Sequence, residues 1–331
     1  MTNATTHPAS IVAPPRLPEL GARRRLSSAA LMALALLLTA GAARGADRPE
    51  GAVAGDAEFV EVPPIEGIPG PLFFQMPTLT FVPKGTMRVT VGARWQDDVE
   101  LPYSGLTGDL AQLGMLRVDV GFGSRIAVRV QGTTRQVLRI DWDKSRQVPP
   151  SEVDATDDST NDAGDFSVLT VAQVMPQRGW KPALGLRVEA KLPNTNERKG
   201  IGTNTTDVLL SVPAQSRFGR LVVNTDLGIG ILTQPTNAQA QTDTLLYGLA
   251  ASYELSPSWL LSGELVGRWA NNGGSTGTGN GGGLHVGVAW SKGPWAIGLI
   301  ASHGYGEGGE RIGGALAVSY GFRAFDRIRR D

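Results

Sequence analysis

The chain contains no cysteine. Disulfide scaffolds, zinc–thiolate sites, iron–sulfur clusters and thiol nucleophiles are therefore excluded. It also lacks an excess of charge of either sign, since 31 Lys and Arg are matched by 31 Asp and Glu. That leaves no basic footprint for nucleic acid and no strongly charged tail. Charged residues make up only 19% of the chain, below the roughly 25% of ordinary soluble domains. Histidine is scarce, with only His285 and His303 beyond the first 45 residues, so general acid–base catalysis has little material. Long apolar runs are missing as well: past residue 46 no 18-residue window is apolar, which excludes a spanning helix there.

Glycine is abundant instead, 43 of 331 residues, and mean hydropathy is −0.08. The N-terminus carries Arg23-Arg24-Arg25, then an apolar stretch from Ala29 to Ala43, then small residues up to Gly45. A basic flank, a short apolar core and a small-residue exit read as a secretory signal, so residues 1–45 are expected to be a signal peptide with an extended leader. Residues 46–83 are rich in proline and show no period, and are expected to form a periplasmic lead-in with Leu72, Phe73 and Phe74 against an apolar surface.

From Lys84 onward, two-residue alternation dominates. Met87, Val89, Val91, Ala93 and Trp95 share one face, while Arg88, Thr90, Gly92 and Arg94 share the other. Leu184, Leu186, Val188, Ala190 and Leu192 alternate in the same way with Arg187, Glu189 and Lys191. This is the period of a strand and not of a helix. Twelve such segments occur before the C-terminus. Most are longer than the 5–6 residues typical of soluble strands and close to the ~9–11 that cross a bilayer with tilt. Short links, such as Gly123-Ser124, Ser256-Pro257 and Lys292-Gly293-Pro294, alternate with long ones at about 96–112, 143–165, 193–205, 232–243, 271–283 and 303–310. Tight periplasmic turns and long external loops are the habit of outer-membrane barrels. The tryptophans fall near strand ends, as interfacial girdles require. The expectation for residues 84–331 is an all-β, antiparallel, up-and-down transmembrane barrel of about twelve strands. Its apolar face meets outer-membrane lipid and its polar face lines a lumen, because lipid cannot satisfy an open sheet edge.

The alternation assigns Arg88, Arg94, Arg117, Arg125 and Arg129, with Arg135 and Arg139, to the lumen from the first three strands. Glu189, Asp207, Asp226, Glu254, Glu264 and His285 follow from later ones. A basic arc facing an acidic one would tune what enters a narrow pore; the competing reading is a salt-bridge network that fills a small barrel. The acidic stretch 141–165 has no EF-hand spacing and reads as a solvated external loop. The Gly-rich stretch 271–283 leads into a strand, not a helix, so it is no phosphate cradle. Ser302 and His303 are adjacent, hence on opposite strand faces, which argues against a hydrolase built on them with Glu307.

The run Leu186-Arg187-Val188-Glu189-Ala190-Lys191-Leu192-Pro193, followed by Gly200-Ile201-Gly202-Thr203-Asn204-Thr205-Thr206-Asp207, resembles a family of outer-membrane barrels linked with the meta-pathway of phenol degradation. In that family a strand ending Lys-Leu-Pro leads to a Gly-x-Gly-Thr-Gly-Ser-x-Asp loop; here Asn204 stands for a Gly and Thr205 for a Ser. The likeness covers roughly residues 180–232. It implies an outer-membrane barrel for uptake of small or aromatic compounds and supplies no catalytic residues. The leading expectation from the architecture is a barrel exported to a Gram-negative outer membrane, inserted by the barrel-insertion machinery, that passes small solutes passively with no cofactor and no enzymatic chemistry. The chain departs from the pattern by ending Phe325 to Asp331 instead of on an aromatic. Two other functions follow from the same architecture: a structural or surface-interaction barrel with a plugged lumen, and a lipid-modifying hydrolase.

Overall fold

The computed structural model describes Leu72 and residues 75–145, 153–235, 237–271 and 277–325; the expected signal peptide, Phe73 and Phe74 lie outside the described residues. Among the described residues thirteen strands run in chain order: β1 (Thr86–Leu101), β2 (Leu106–Gly121), β3 (Ile126–Ile140), β4 (Ser159–Asp162), β5 (Phe166–Met175), β6 (Ala183–Leu192), β7 (Asp207–Phe218), β8 (Leu221–Gln234), β9 (Asn237–Ser256), β10 (Trp259–Ala270), β11 (Gly281–Lys292), β12 (Trp295–Gly306) and β13 (Ile312–Arg323). Each pairs antiparallel with its neighbour in sequence, except that β4 is a four-residue flap on β3 alone, beside β5. β1 pairs with both β2 and β13, so twelve strands close into a barrel.

The two faces of the wall invert the pattern of a soluble core. Leu299 is 57% exposed and Ile229 52%, whereas Glu264 is 2% and Arg117 6%. Along β12 exposed Trp295, Ile297 and Leu299 alternate with buried Ala296 and Gly298. Such an outward apolar surface is stable only in a non-aqueous solvent. At the end that carries the short turns, Trp295 packs on Tyr320 with ring centroids 4.6 Å apart, and Tyr320 stacks on Phe322 at 6.1 Å. Trp259 pairs across strands with Trp290 at the same end. This aromatic cluster matches the expected girdle.

Two stretches expected to be long loops are strands. β1 and β2 continue to Leu101 and Leu106, and β8 and β9 continue to Gln234 and Asn237. The ladder persists there although alternation fails. Within β1 the register slips between Gln96 and Val99, where Asp98 takes φ +54°. A bulge of this kind adds one residue and rotates everything beyond it to the other face. At the loop end Val99, Leu106, Leu110, Leu138 and Ile140 form an apolar cluster, on which Trp142, Val153 and Ile201 pack. In the same external loops the hydrogen bond from the Arg198 guanidinium holds the Asp154 carboxyl below the usual carboxylate range.

The described residues of the proline-rich lead-in, Leu72 and 75–83, run inside the barrel. Leu72 packs with Ala296 and Ala317, Met76 with Ala250 and Val266, and Leu79 with Leu169, Val171 and Ala183. All of these partners sit on the inner face. The segment follows the inner wall from β12–β13 past β9–β10 to β5–β6, then reaches the end of β2. There Gly121 is required by close approach: a Cβ would lie 2.4 Å from the carbonyl oxygens of both Val82 and Pro83. Gly121→Val is expected to force this junction apart. The loss of the folded, fast-migrating form on unboiled gels should then occur at a lower temperature than in the native chain.

Candidate functional site

Proline and threonine leave the lead-in with few backbone partners of its own, so the barrel supplies them. Glu264, on β10, points inward with its side chain fully shielded. Its Oε1 accepts the Gln75 N–H at 2.8 Å and its Oε2 the Met76 N–H at 3.0 Å. The His285 Nδ1 lies 2.8 Å from the same carboxylate, from the neighbouring strand β11. Further along, the Leu79 N–H donates to Gln215 Oε1 at 3.0 Å. A buried carboxylate holding two backbone amides is a strong, charge-assisted anchor. His285 continues the network: Arg94 Nη2 lies 3.5 Å from its Nε2 and 2.5 Å from Glu310 Oε1. Both carboxylate oxygens of Glu264 accept amide N–H groups, and the His285 Nδ1 stands beside them as a further donor.

Two cavities flank the lead-in, and Met76 and Pro77 line both. The larger has a volume of about 700 Å³. Its lining includes Arg94, Arg187, Lys191 and Arg268 against Asp165, Glu189, Asp207, Asp226, Glu307 and Glu310. Within it Arg187 bridges Glu189 and Asp226, the latter at 3.2 Å, and Lys191 Nζ sits 2.7 Å from Asp207. The smaller, of about 50 Å³, lies between the lead-in and the β1–β3 wall, with Arg88, Arg117, Arg129 and Asp119 in its lining.

Most residues that alternation assigned to the lumen are inside, but they divide between these spaces. Arg88, Arg117 and Arg129 collect at the small cavity, while Arg94, Glu189, Asp207, Asp226 and His285 line the large one. Glu254 pairs with Arg217 at 3.0 Å near the turns. Three expectations are corrected. Arg125 is exposed in the turn before β3 and lines neither cavity. Arg135 and Arg139 are exposed on the other face of β3. The cause is an irregularity where Gly114, at φ +61°, stands against Thr134, after which inward positions on β3 change from odd to even. Ser302 is buried and His303 exposed, with the His303 Nδ1 at the Arg311 carbonyl, so the two do face apart. Among the described residues, those of the acidic loop included, no cluster of three metal-binding side chains occurs. The lead-in amides and Glu310 escaped sequence reasoning, because the one lies in aperiodic chain and the other in a loop.

No family model matches the chain, and no curated protein does. Solved structures do match. An outer membrane channel from Pseudomonas putida F1 aligns over 73% of this chain and 97% of its own, with 15% identity and a TM-score of 0.51. The fold is that of an outer-membrane β-barrel. The KdgM porin in complex with disordered oligogalacturonate aligns over 71% of this chain and 99% of its own, at 8% identity and TM-score 0.44. The NanC porin aligns over 71% and 98%, at 7% identity and TM-score 0.43.

Proposed function

We propose that the protein is an outer-membrane channel of a Gram-negative bacterium through which small solutes pass passively, and that residues 72–83 set the width of its path. The observation that carries this reading is the charged cavity of about 700 Å³ inside a closed barrel, floored by Gln75, Met76 and Pro77. The lining offers orientation and charge filtering. The family resemblance adds small aromatic compounds to the solutes worth testing. A second reading, a closed barrel acting at the cell surface, draws on the same lead-in. Conductance of the purified chain in a planar bilayer separates the two: discrete channel events support passage, and a silent bilayer with folded protein present supports the closed barrel.

The lining also fixes a direction. Four cationic side chains face six carboxylates, so the cavity favours cations. Arg94→Glu changes that balance to three against seven and frees Glu310 from its partner. The reversal potential under a salt gradient is expected to move toward that of the cation. An unchanged potential would show that ions do not pass Arg94.

A further inference from the structure

The chain is neutral as a whole, but its charge is unevenly placed along the barrel axis. At the end that carries the short turns, Lys84, Arg125, Lys181, Arg220, Lys292 and Arg323 are all exposed. Among the described residues none of these six forms an ion pair. Glu254, which lies near the same turns, is committed to Arg217 at 3.0 Å. The loop end is arranged differently, with Lys144 held by Asp98, Arg198 by Asp154 and Arg311 by Asp97. Five of the six cations repeat one arrangement with an aromatic ring. Phe122 precedes Arg125, Trp180 precedes Lys181, Phe218 precedes Arg220 and Phe322 precedes Arg323, while Lys292 stands opposite Trp295 in the ladder. All five rings are exposed, Trp180 to 74%. Phe122, Phe218, Trp295 and Phe322 continue the outward-facing rows of their strands.

We propose that this rim binds anionic phospholipid headgroups, phosphatidylglycerol foremost, in the leaflet that meets the short turns. Aromatic rings settle at the membrane interface, and long basic side chains reach from that level to the charged headgroups. The repeated ring-and-cation unit therefore places each charge at the height of lipid phosphate. Like charges on one rim repel one another, and an anionic lipid surface relieves that repulsion. Near such a surface each Lys or Arg is worth about fivefold in binding. The charges surround the mouth from β13 and β1 round to the β11–β12 turn, so the lipids form a collar and do not fill one pocket. An acidic polymer in the aqueous space beyond the membrane would meet the cations alone and leave the ring beside each one unexplained.

The test uses the full mature chain folded into phosphatidylcholine vesicles. Spin-labelled phosphatidylglycerol and spin-labelled phosphatidylcholine are added in turn, and the fraction of each that the protein immobilises is read. The expected result at low salt is a preference for phosphatidylglycerol of about threefold or more, falling toward unity at high salt. Combining Lys181→Gln, Arg220→Gln and Lys292→Gln should remove most of that preference. Combining Lys144→Gln, Arg198→Gln and Arg311→Gln, at the loop end, should leave it. All six positions are on the surface, and gel mobility without boiling checks that both variants fold. The proposal is overturned if the two lipids are immobilised equally, or if both variants lose the preference alike. Equal immobilisation together with binding to peptidoglycan sacculi that the first variant loses overturns it in favour of the wall polymer. Conductance plays no part in this measurement, so a silent bilayer would defeat the channel reading and leave this one standing.

Discussion

Removing residues 46–83, with residues 1–45 kept and joined to Lys84, raises single-channel conductance several-fold. The described part of this segment lies against the inner wall from β12–β13 round to β2 and separates the two cavities. Without it they become one continuous lumen. A point change gives a graded version of the same result. Glu264→Ala leaves the Gln75 and Met76 amides and the His285 Nδ1 without their shared acceptor. Each buried donor left unmade costs about 1–3 kcal/mol, enough to loosen a segment whose further described side-chain anchor is Gln215. Glu264→Ala should therefore flicker between the native conductance and the larger one, and Glu264→Gln, which keeps an acceptor, should flicker less. A deletion variant that folds yet conducts like the native chain would show that ions avoid the central lumen.

The second large effect concerns the outer face. Leu299→Arg and Val212→Arg place a charge where the wall faces hydrocarbon; Val212 is 50% exposed. On the lipid face of a barrel near the bilayer midplane such a change costs about 2–4 kcal/mol. The fraction of chain that folds into vesicles, read by gel mobility without boiling, should fall sharply for both. Gln96→Arg, which adds the same charge to the large cavity, should fold like the native chain. A soluble protein would respond in the reverse order, since an exposed leucine is replaced by arginine at little cost.

How far the sequence carried depends on periodicity. Where alternation is intact, as in Leu184 to Leu192, both the strand and the facing of each side chain are legible, because one residue of slip would turn every apolar group to the wrong solvent. Legibility ends where the period breaks. Asp98 and Gly114 sit at irregularities that no composition marks, and the misplacement of Arg135 and Arg139 follows from the second of them. The extended β8–β9 hairpin reads as a loop because beyond the membrane both faces meet water and nothing selects alternation. The lead-in is hidden for a deeper reason. Its apolar residues Leu72, Met76 and Leu79 are spaced to meet successive patches of a curved wall, not to repeat on one face. The one sequence sign of their docking is a small residue opposite each. Ala317, Ala250 and Ala183 provide that room, yet only the closed barrel brings them to the lead-in.

The absence of cysteine makes the central claim, that lipid wets the apolar face, directly measurable. Single cysteines at Val212, Leu227 and Leu299, and others at Gln96 and Gln112 in the large cavity, can be placed in the native background one at a time and reacted in intact proteoliposomes. The outer three are predicted to react with a membrane-soluble maleimide and resist a charged, water-soluble one, while the inner two react with the charged reagent. Rapid labelling of residues 212, 227 and 299 by the charged reagent in folded protein would contradict the account.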